Sequence, residues 1–365
     1  MGALIEFFAQ NPLAIPLFLV MFTAIIAVHE FGHYFTARLL GMRVLEFAFG
    51  FPPRIVAIRR GGIDYSVNAI PFGGFVRILG QDDFSIEQRG AGEPGSFTSK
   101  PWWAQAIVLA AGVAMNFVLA IVVLTAAFMI GTEAPTGIVR VEEVAVGSPA
   151  EAAGIKPGDL VRTIDGKAIT RTSELQTYVY GNAGKEVAIV LEREGRAVGP
   201  IKVVPREKPP ENEGPLGVRL SEVTSPPTAL SPQQAFGQAL RLTGDVVVQI
   251  AELPGQLLSR PAGQPGPPPV GGPIEILRVT ALVSQAGLAA FLKLVGVISV
   301  NLGVLNIIPF PGLDGGRLFF VLLSAALRRR LSPQVEAAIH AVGFVLLLGL
   351  LIVVTVADIR RAAGG

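Results

Sequence analysis

His29-Glu30-Phe31-Gly32-His33 sets two imidazoles four residues apart with a carboxylate between them. On a helix, residues i and i+4 share one face, so both rings reach a single metal ion. Glu30 then stands beside the metal's open position, where it can take a proton from water. The chemistry offered is metal-assisted hydrolysis. Cysteine is absent, which removes disulfides, iron–sulfur clusters, thiolate zinc sites and a cysteine nucleophile. Catalytic zinc takes three protein ligands and keeps one position open. His340 is one candidate for the third ligand, but it stands alone, without a companion motif. Asp314 is better placed, in Asn306-Ile307-Ile308-Pro309-Phe310-Pro311-Gly312-Leu313-Asp314-Gly315-Gly316, where prolines and glycines interrupt a helix. It also has a second possible role, capping the helix that follows.

These residues lie in apolar surroundings. The chain has 365 residues, 51% of them hydrophobic and 16% charged, against roughly 25% charge in a soluble domain. Four stretches meet the requirement of about 20 apolar residues for a bilayer core. They are Leu13–Ala37, Pro101–Thr132, a broken run of Leu294–Leu313 and Leu318–Leu327, and Ala337–Ala357. The first is too long, and ends on the wrong residues, for a cleaved signal peptide. Ionisable groups in hydrocarbon are costly and by default functional. Broken backbone there must line a polar cavity or be buried in protein. With 30 basic and 28 acidic residues the net charge is +2, so nucleic acid is not an expected partner.

Four spans put both termini on one side. Arg38, Arg43, Arg54, Arg59, Arg60, Arg77, Arg89 and Lys100 in one loop, and Arg328, Arg329 and Arg330 in another, mark the opposite side as cytoplasmic. Arg360 and Arg361 dissent. The loop 44–79 predicts β-hairpins: Val44–Phe51 and Ile63–Ile70 flank a turn at Arg60-Gly61-Gly62, and Pro71–Gly74 turns again before Phe75–Leu79. Either this apolar hairpin dips into the membrane interface or its apolar face packs on the spans. Residues 135–205 alternate short apolar runs with Gly, Pro and Asp turns, which predicts a β-rich domain of about 70 residues. Residues 206–232 and 259–273 read as Pro- and Gly-rich linkers. Between them Phe236, Leu240, Val247, Ile250 and Leu257 predict an amphipathic helix on the membrane surface or on the β-rich domain.

Within residues 135–205, Gly147-Ser148-Pro149-Ala150-Glu151-Ala152-Ala153-Gly154-Ile155-Lys156-Pro157-Gly158-Asp159-Leu160 followed by Ile164-Asp165-Gly166-Lys167 resembles a bacterial PDZ domain. Ser148 is a helix cap, Pro157-Gly158-Asp159 a turn and Asp165-Gly166 a hairpin. The resemblance implies a peptide groove near Gly137–Val141, filled by strand addition. The whole chain resembles the site-2 protease family of intramembrane zinc metalloproteases, in its PDZ-containing branch. His29-Glu30-x-x-His33 and Asn306-x-x-Pro309-x-Pro311-x-x-Asp314-Gly315 carry the likeness. Ala111-Gly112-Val113-Ala114-Met115-Asn116 and Gly271-Gly272-Pro273-Ile274 support it. The family usually has Pro where Val113 stands, and often two PDZ domains where this chain has one copy.

The resemblance implies a polytopic α-helical membrane protein in a bacterial inner membrane, with one zinc ion (Zn2+) per chain. The implied ligands are His29, His33 and Asp314, with Glu30 as general base. Asn306, Pro309 and Pro311 would shape the substrate cleft and Asn116 would support the site. Gly73, Gly74 and Phe75, in the membrane-associated β element at Phe72–Arg77, would meet an unwound substrate strand. The expected layout is residues 1–40 as the first span, 41–100 as the cytoplasmic or interfacial hairpin region and 101–132 as the second span. There follow 133–207 as an extracytoplasmic PDZ domain, 208–287 as linker and amphipathic helix, 288–327 as the broken third span and 336–358 as the fourth. Implied partners are single-span transmembrane substrates, a protein tail at the PDZ domain, and lipid. A zinc-dependent transporter also uses broken helices, but Glu30 has no ligand role there and the spans show no internal repeat. A catalytically silent scaffold leaves Glu30 unexplained.

Overall fold

The computed structural model describes residues 7–81, 92–133, 135–210, 213–258, 271–329 and 332–362. The first elements in chain order are α1 (Ala14–Leu39), β1 (Val44–Arg60), β2 (Ile63–Ile78), α2 (Trp102–Ile130), β3 (Pro135–Val144), α3 (Pro149–Ala152), β4 (Leu160–Ile164), β5 (Lys167–Ala168) and α4 (Thr172–Gly181). They continue with β6 (Val187–Arg193), β7 (Arg196–Val203), β8 (Val218–Thr224), α5 (Pro232–Leu258), α6 (Pro273–Gln285), α7 (Leu288–Ile307), α8 (Asp314–Leu327) and α9 (Pro333–Ala362). The described residues divide into two units, those within 131–229 forming the second and the remainder the first.

Among the described residues, four helices of the first unit are long and apolar enough to cross a membrane: α1, α2, α7 and residues 334–360 of α9. The 29 residues of α2 carry no charge and rise about 43 Å, more than the roughly 30 Å of hydrocarbon. Small residues let these helices close on one another, as expected where lipid removes the hydrophobic drive for association. A Cβ on Gly32 of α1 would lie 2.4 Å from the Ala111 carbonyl oxygen of α2, and one on Gly296 of α7 would lie 2.5 Å from Leu124 Cγ. Ser299 Oγ of α7 donates to the Asn116 carbonyl at 2.8 Å.

Helix α5 packs through Ala235 and Ala239 on Leu124 and Phe128 of α2, and through Val246 on Ala120 and Val300. This corrects the expected placement on the membrane surface or the β-rich domain. Val247 and Ile250 do join the buried face, whereas Phe236 and Leu240 stand 50% and 45% exposed. The side chain of Leu257 lies outside the described residues. Two alanines one turn apart bring the backbones close, and a search for large apolar residues overlooks them.

The β1–β2 pair folds back on itself. Residues 44–49 pair with 74–78 on one side and with 64–67 on the other, and 54–60 pair with 63–68. The result is a mixed four-segment sheet ordered 54–60, 63–68, 44–49, 74–78, its central pair parallel and its outer pairs antiparallel, in which 74–78 is an edge among the described residues. The inner half packs on the helices: Val44, Ile63 and Ile78 share a core with Ala37, Ala104, Val108 and Leu109. Residues 51–60 are exposed. Buried Glu46 ties the segments together, accepting from Arg54 Nη2 at 2.5 Å and Ser66 Oγ at 2.7 Å and pairing with Arg77 at 3.3 Å.

Helix α7 stops at Ile307 because Pro309 and Pro311 can neither donate to an i−4 carbonyl nor tolerate helical neighbours. The chain turns at Gly312 (φ +97°) and restarts as α8 at Asp314. The break is folded tightly onto the first turn of α8. Added Cβ atoms on Gly315 and Gly316 would sit 2.3 Å from the Ile308 carbonyl oxygen and 2.2 Å from that of Phe310. Helix α6, inside the stretch expected as linker and amphipathic helix, is capped by buried Asp358 of α9, whose Oδ2 accepts from the Glu275 N–H at 3.1 Å. Gly272 leaves room for that carboxylate.

The second unit is a twisted antiparallel sheet in the order β7-β6-β4-β3-β8, with β5 beside β4, around Val139, Val141, Ile164, Leu175, Ile189 and Leu191. Ser148 Oγ accepts from the Glu151 N–H at 3.1 Å as expected of a cap. Asp165 and Gly166 both take positive φ in the tight turn between β4 and β5. Two expectations fail here. Val218–Thr224, placed in the linker 208–287, is strand β8 of this sheet. It pairs with β3, whose Val139 faces Val161 of β4 on one side and Glu222 of β8 on the other. Residues 137–141 are therefore interior, and among the described residues the outer strands of the sheet are β7 and β8.

Asp159 holds the turn into β4. Its carboxylate accepts from Arg193 Nε at 2.6 Å, Arg193 Nη2 at 2.8 Å and the Lys156 N–H at 2.8 Å. Burial by itself raises its pKa, but these donors outweigh burial and hold the carboxyl below its usual value. A depressed carboxylate contributes stability above its unfolded value near 4 and loses it as pH falls through the lower folded value. Asp159→Asn is therefore expected to speed hydrogen exchange in β4 and β6 at pH 7, by an opening cost smaller by about 2 kcal/mol. The difference from the native chain should fade below about pH 4. Exchange mass spectrometry of the full chain in detergent measures both.

Candidate active site and metal centre

Helix α1 presents His29 and His33 on one buried face, and the break before α8 brings Asp314 to them. His29 Nε2 lies 2.9 Å and His33 Nε2 3.2 Å from Asp314 Oδ2, and the two ring nitrogens are 3.1 Å apart. Tetrahedral zinc with bonds of 2.0–2.1 Å separates its ligand atoms by about 3.3 Å. The triangle is thus within a few tenths of an ångström of what zinc requires. His29, His33 and Asp314 form a possible metal site.

Helix α2 shapes this triangle. The His33 Nδ1–H donates to the Val108 carbonyl at 2.8 Å, which leaves Nε2 as the lone-pair nitrogen. The Asn116 side-chain amide lies 3.1 Å from His29 Nδ1, while its own oxygen is buried without a partner among the described residues. Turning that amide sets Oδ1 against the Nδ1–H, which satisfies the oxygen and again frees Nε2. Gly112 makes the approach possible. A Cβ there would meet His33 Nε2 at 2.3 Å and His29 Cε1 at 2.8 Å.

Glu30 lines a cavity of about 150 Å3 together with His33, Phe75, Val76, Ile78, Gln81, Asp314 and Arg317. The sheet edge 74–78 forms one wall. Gly74 sits where a Cβ would come within 3.7 Å of Glu30 Cγ and 2.8 Å of the Ala48 carbonyl oxygen. Two of the metal ligands, a carboxylate able to carry protons and a strand edge therefore line one cavity.

Residues 17–350 match the profile of Peptidase family M50. The chain belongs to this family of site-2 proteases. A Clostridium perfringens protein provisionally named as a zinc metalloprotease is 31% identical over 346 residues, 93% of this chain and 97% of its own length. A Rhizobium meliloti protein with the same provisional naming is 32% identical over 374 residues, covering 96% of this chain and 97% of its own. Zinc metalloprotease RasP of Oceanobacillus iheyensis is 29% identical over 420 residues, 94% and 98% of the two chains. The protein is a multi-pass membrane metallopeptidase, and zinc is its metal.

Other residues singled out in this M50 peptidase do not line the cavity beside Glu30. Asn306, Pro309 and Pro311 are not among the residues lining its cavity. Pro311 instead receives α9, since a Cβ on Gly343 would lie 2.1 Å from its carbonyl oxygen. Gly73 has its Cβ direction filled by the Phe51 ring, and the side chain of Phe72 lies outside the described residues. His340 stands apart from the metal triangle. Its Nδ1 accepts from the Gly312 N–H at 2.9 Å, and its ring lies edge-on to Phe320, so it fastens the break that carries Asp314. Sequence reasoning missed the Val108 carbonyl and Gln81, which leave no residue-type signal. Arg317 lies in the gap between the two parts of the broken third run, and a cation one turn beyond Asp314 shares that residue's face.

Proposed function

We propose that this M50 peptidase hydrolyses peptide bonds within the membrane-spanning segments of single-span proteins. The observation that carries the proposal is the shared cavity, in which Glu30, two of the three candidate ligands and the strand edge at Phe75–Ile78 stand together. A spanning helix buries its carbonyls in internal hydrogen bonds, so cutting it requires local unwinding and a partner for the freed groups. Residues 74–78 offer that partner by strand addition.

His29, His33 and Asp314 hold the metal. Zinc bound by them supplies a Lewis acid that acidifies water and polarises a carbonyl. Glu30 accepts the proton released by the attacking water and returns it to the departing amine. Val108 and Asn116 keep both imidazoles in the tautomer that ligates, and Phe75 and Val76 exclude bulk water from the reacting bond.

The substrates fitting this reading are proteins already trimmed outside the membrane, such as membrane-bound anti-sigma factors and remnant signal peptides. The second unit is then an extracytoplasmic PDZ-type module that meets the trimmed tail, with β8 as its receiving edge. The Arg-rich loops favour termini outside and a site opening towards the cytoplasm of a bacterial inner membrane. Purified protein in detergent is expected to cut a single-span model substrate inside its apolar segment, with the site fixed by mass spectrometry. A chelator should abolish the cut and stoichiometric zinc restore it. Cutting outside the apolar segment, or cutting that survives metal removal, would overturn the proposal.

A further inference from the structure

Gln81 stands just beyond the strand edge that walls the cavity. Its backbone is anchored: the Gln81 N–H donates to Ile78 O at 3.1 Å, the preceding Leu79 N–H donates to Arg43 O at 2.9 Å, and Leu79 O accepts from the Phe97 N–H at 2.7 Å. The side chain reaches the cavity wall beside Glu30 and Arg317. There its Oε1 is buried, with no hydrogen-bond partner among the described residues. A carbonyl oxygen buried without a donor is unfavourable, and such groups mark places that another molecule completes. Nothing in the metal triangle uses this oxygen, since His29 and His33 are served by Asn116 and Val108.

An unwound segment laid along residues 74–78 runs past the end of that edge at Ile78, where the backbone turns and offers no further strand carbonyl. Its next amide then lacks a strand partner beside the cavity. We infer that Gln81 is a substrate-positioning residue, its Oε1 accepting one backbone N–H of the unwound substrate and extending the strand edge by one hydrogen bond. This rests on the proposed intramembrane cleavage and adds a specific contact to it.

The test pairs Gln81→Met, of similar size but without the acceptor, with synthetic single-span substrates in which single backbone amides are replaced by esters. On the all-amide substrate the variant is expected to lose about tenfold in kcat/KM, the worth of one hydrogen bond. Its zinc content should be unchanged, and its Tm unchanged or raised because an unpaired buried oxygen has gone. One ester position should cost the native protein a similar factor and cost Gln81→Met nothing more. Native-like kcat/KM in the variant, losses that add at every ester position, or a lowered Tm would each overturn the inference. Failure of the cleavage reading would look different, because the native protein would then leave the all-amide substrate intact.

Discussion

Replacing Glu30 by Gln is expected to lower cleavage of a single-span substrate by about a thousandfold or more, within the range for loss of a proton-transferring group. Zinc should stay in place. The substitution keeps the size of the side chain and its seat in the cavity beside Phe75 and Val76. An amide at that position cannot take a proton from water, and it has none to return to the leaving amine. The three ligand atoms belong to His29, His33 and Asp314 and lie within 4.8 Å of one another without help from Glu30. Elemental analysis should therefore find native metal stoichiometry in a protein that turns over almost no substrate. Cleavage within tenfold of the native rate would remove Glu30 from the chemistry. Loss of the metal together with activity would recast it as part of the metal's support.

Gly112→Ala is the second large effect, and it reaches the chemistry from the opposite direction. One methyl group would have to occupy space 2.3 Å from His33 Nε2 and 2.6 Å from His33 Cε1. The imidazole cannot retreat freely, because its Nδ1 is held by the Val108 carbonyl of the same helix. Either that hydrogen bond breaks or α1 and α2 move apart, and the seam at Gly32 and Ala111 leaves no slack. We expect zinc affinity to fall about 100-fold, as when the outer supports of a metal ligand are lost, and activity with it. The contrast with Glu30→Gln is diagnostic, one variant keeping metal without turnover and the other losing both. Metal titration of the two purified variants side by side measures this. Native affinity in Gly112→Ala would show that the helices yield enough to accommodate the methyl group.

The residues that carry the chemistry were legible because they violate their surroundings. A histidine pair with a glutamate, and an aspartate at a proline-broken point, are conspicuous in apolar runs where every polar side chain is expensive. What those residues touch was not legible. Val108 contributes a carbonyl, which any residue carries. Gly112 contributes the absence of a side chain, noticed in the sequence only as part of the family-like Ala111–Asn116 run. Strand β8 escaped notice since Val218, Leu220 and Val223 are diluted by Arg219, Ser221 and Glu222 and flanked by prolines, a composition shared by edge strands and linkers. Helix α5 was recognised, but by its larger residues, while Ala235 and Ala239 make the contact. Periodicity finds which face is apolar and is blind to how closely two backbones approach.

His29 and Asp314 meet although 285 positions separate them along the chain. In the proposed assignment the ion is consequently a rivet as well as a reagent, joining the first span to the break in the third. Fixing two such distant points closes most of the polypeptide into a ring and removes many of the unfolded chain's arrangements. Catalytic competence and resistance to denaturation are thereby drawn from the same bond set, and neither can be lost alone when the cation leaves.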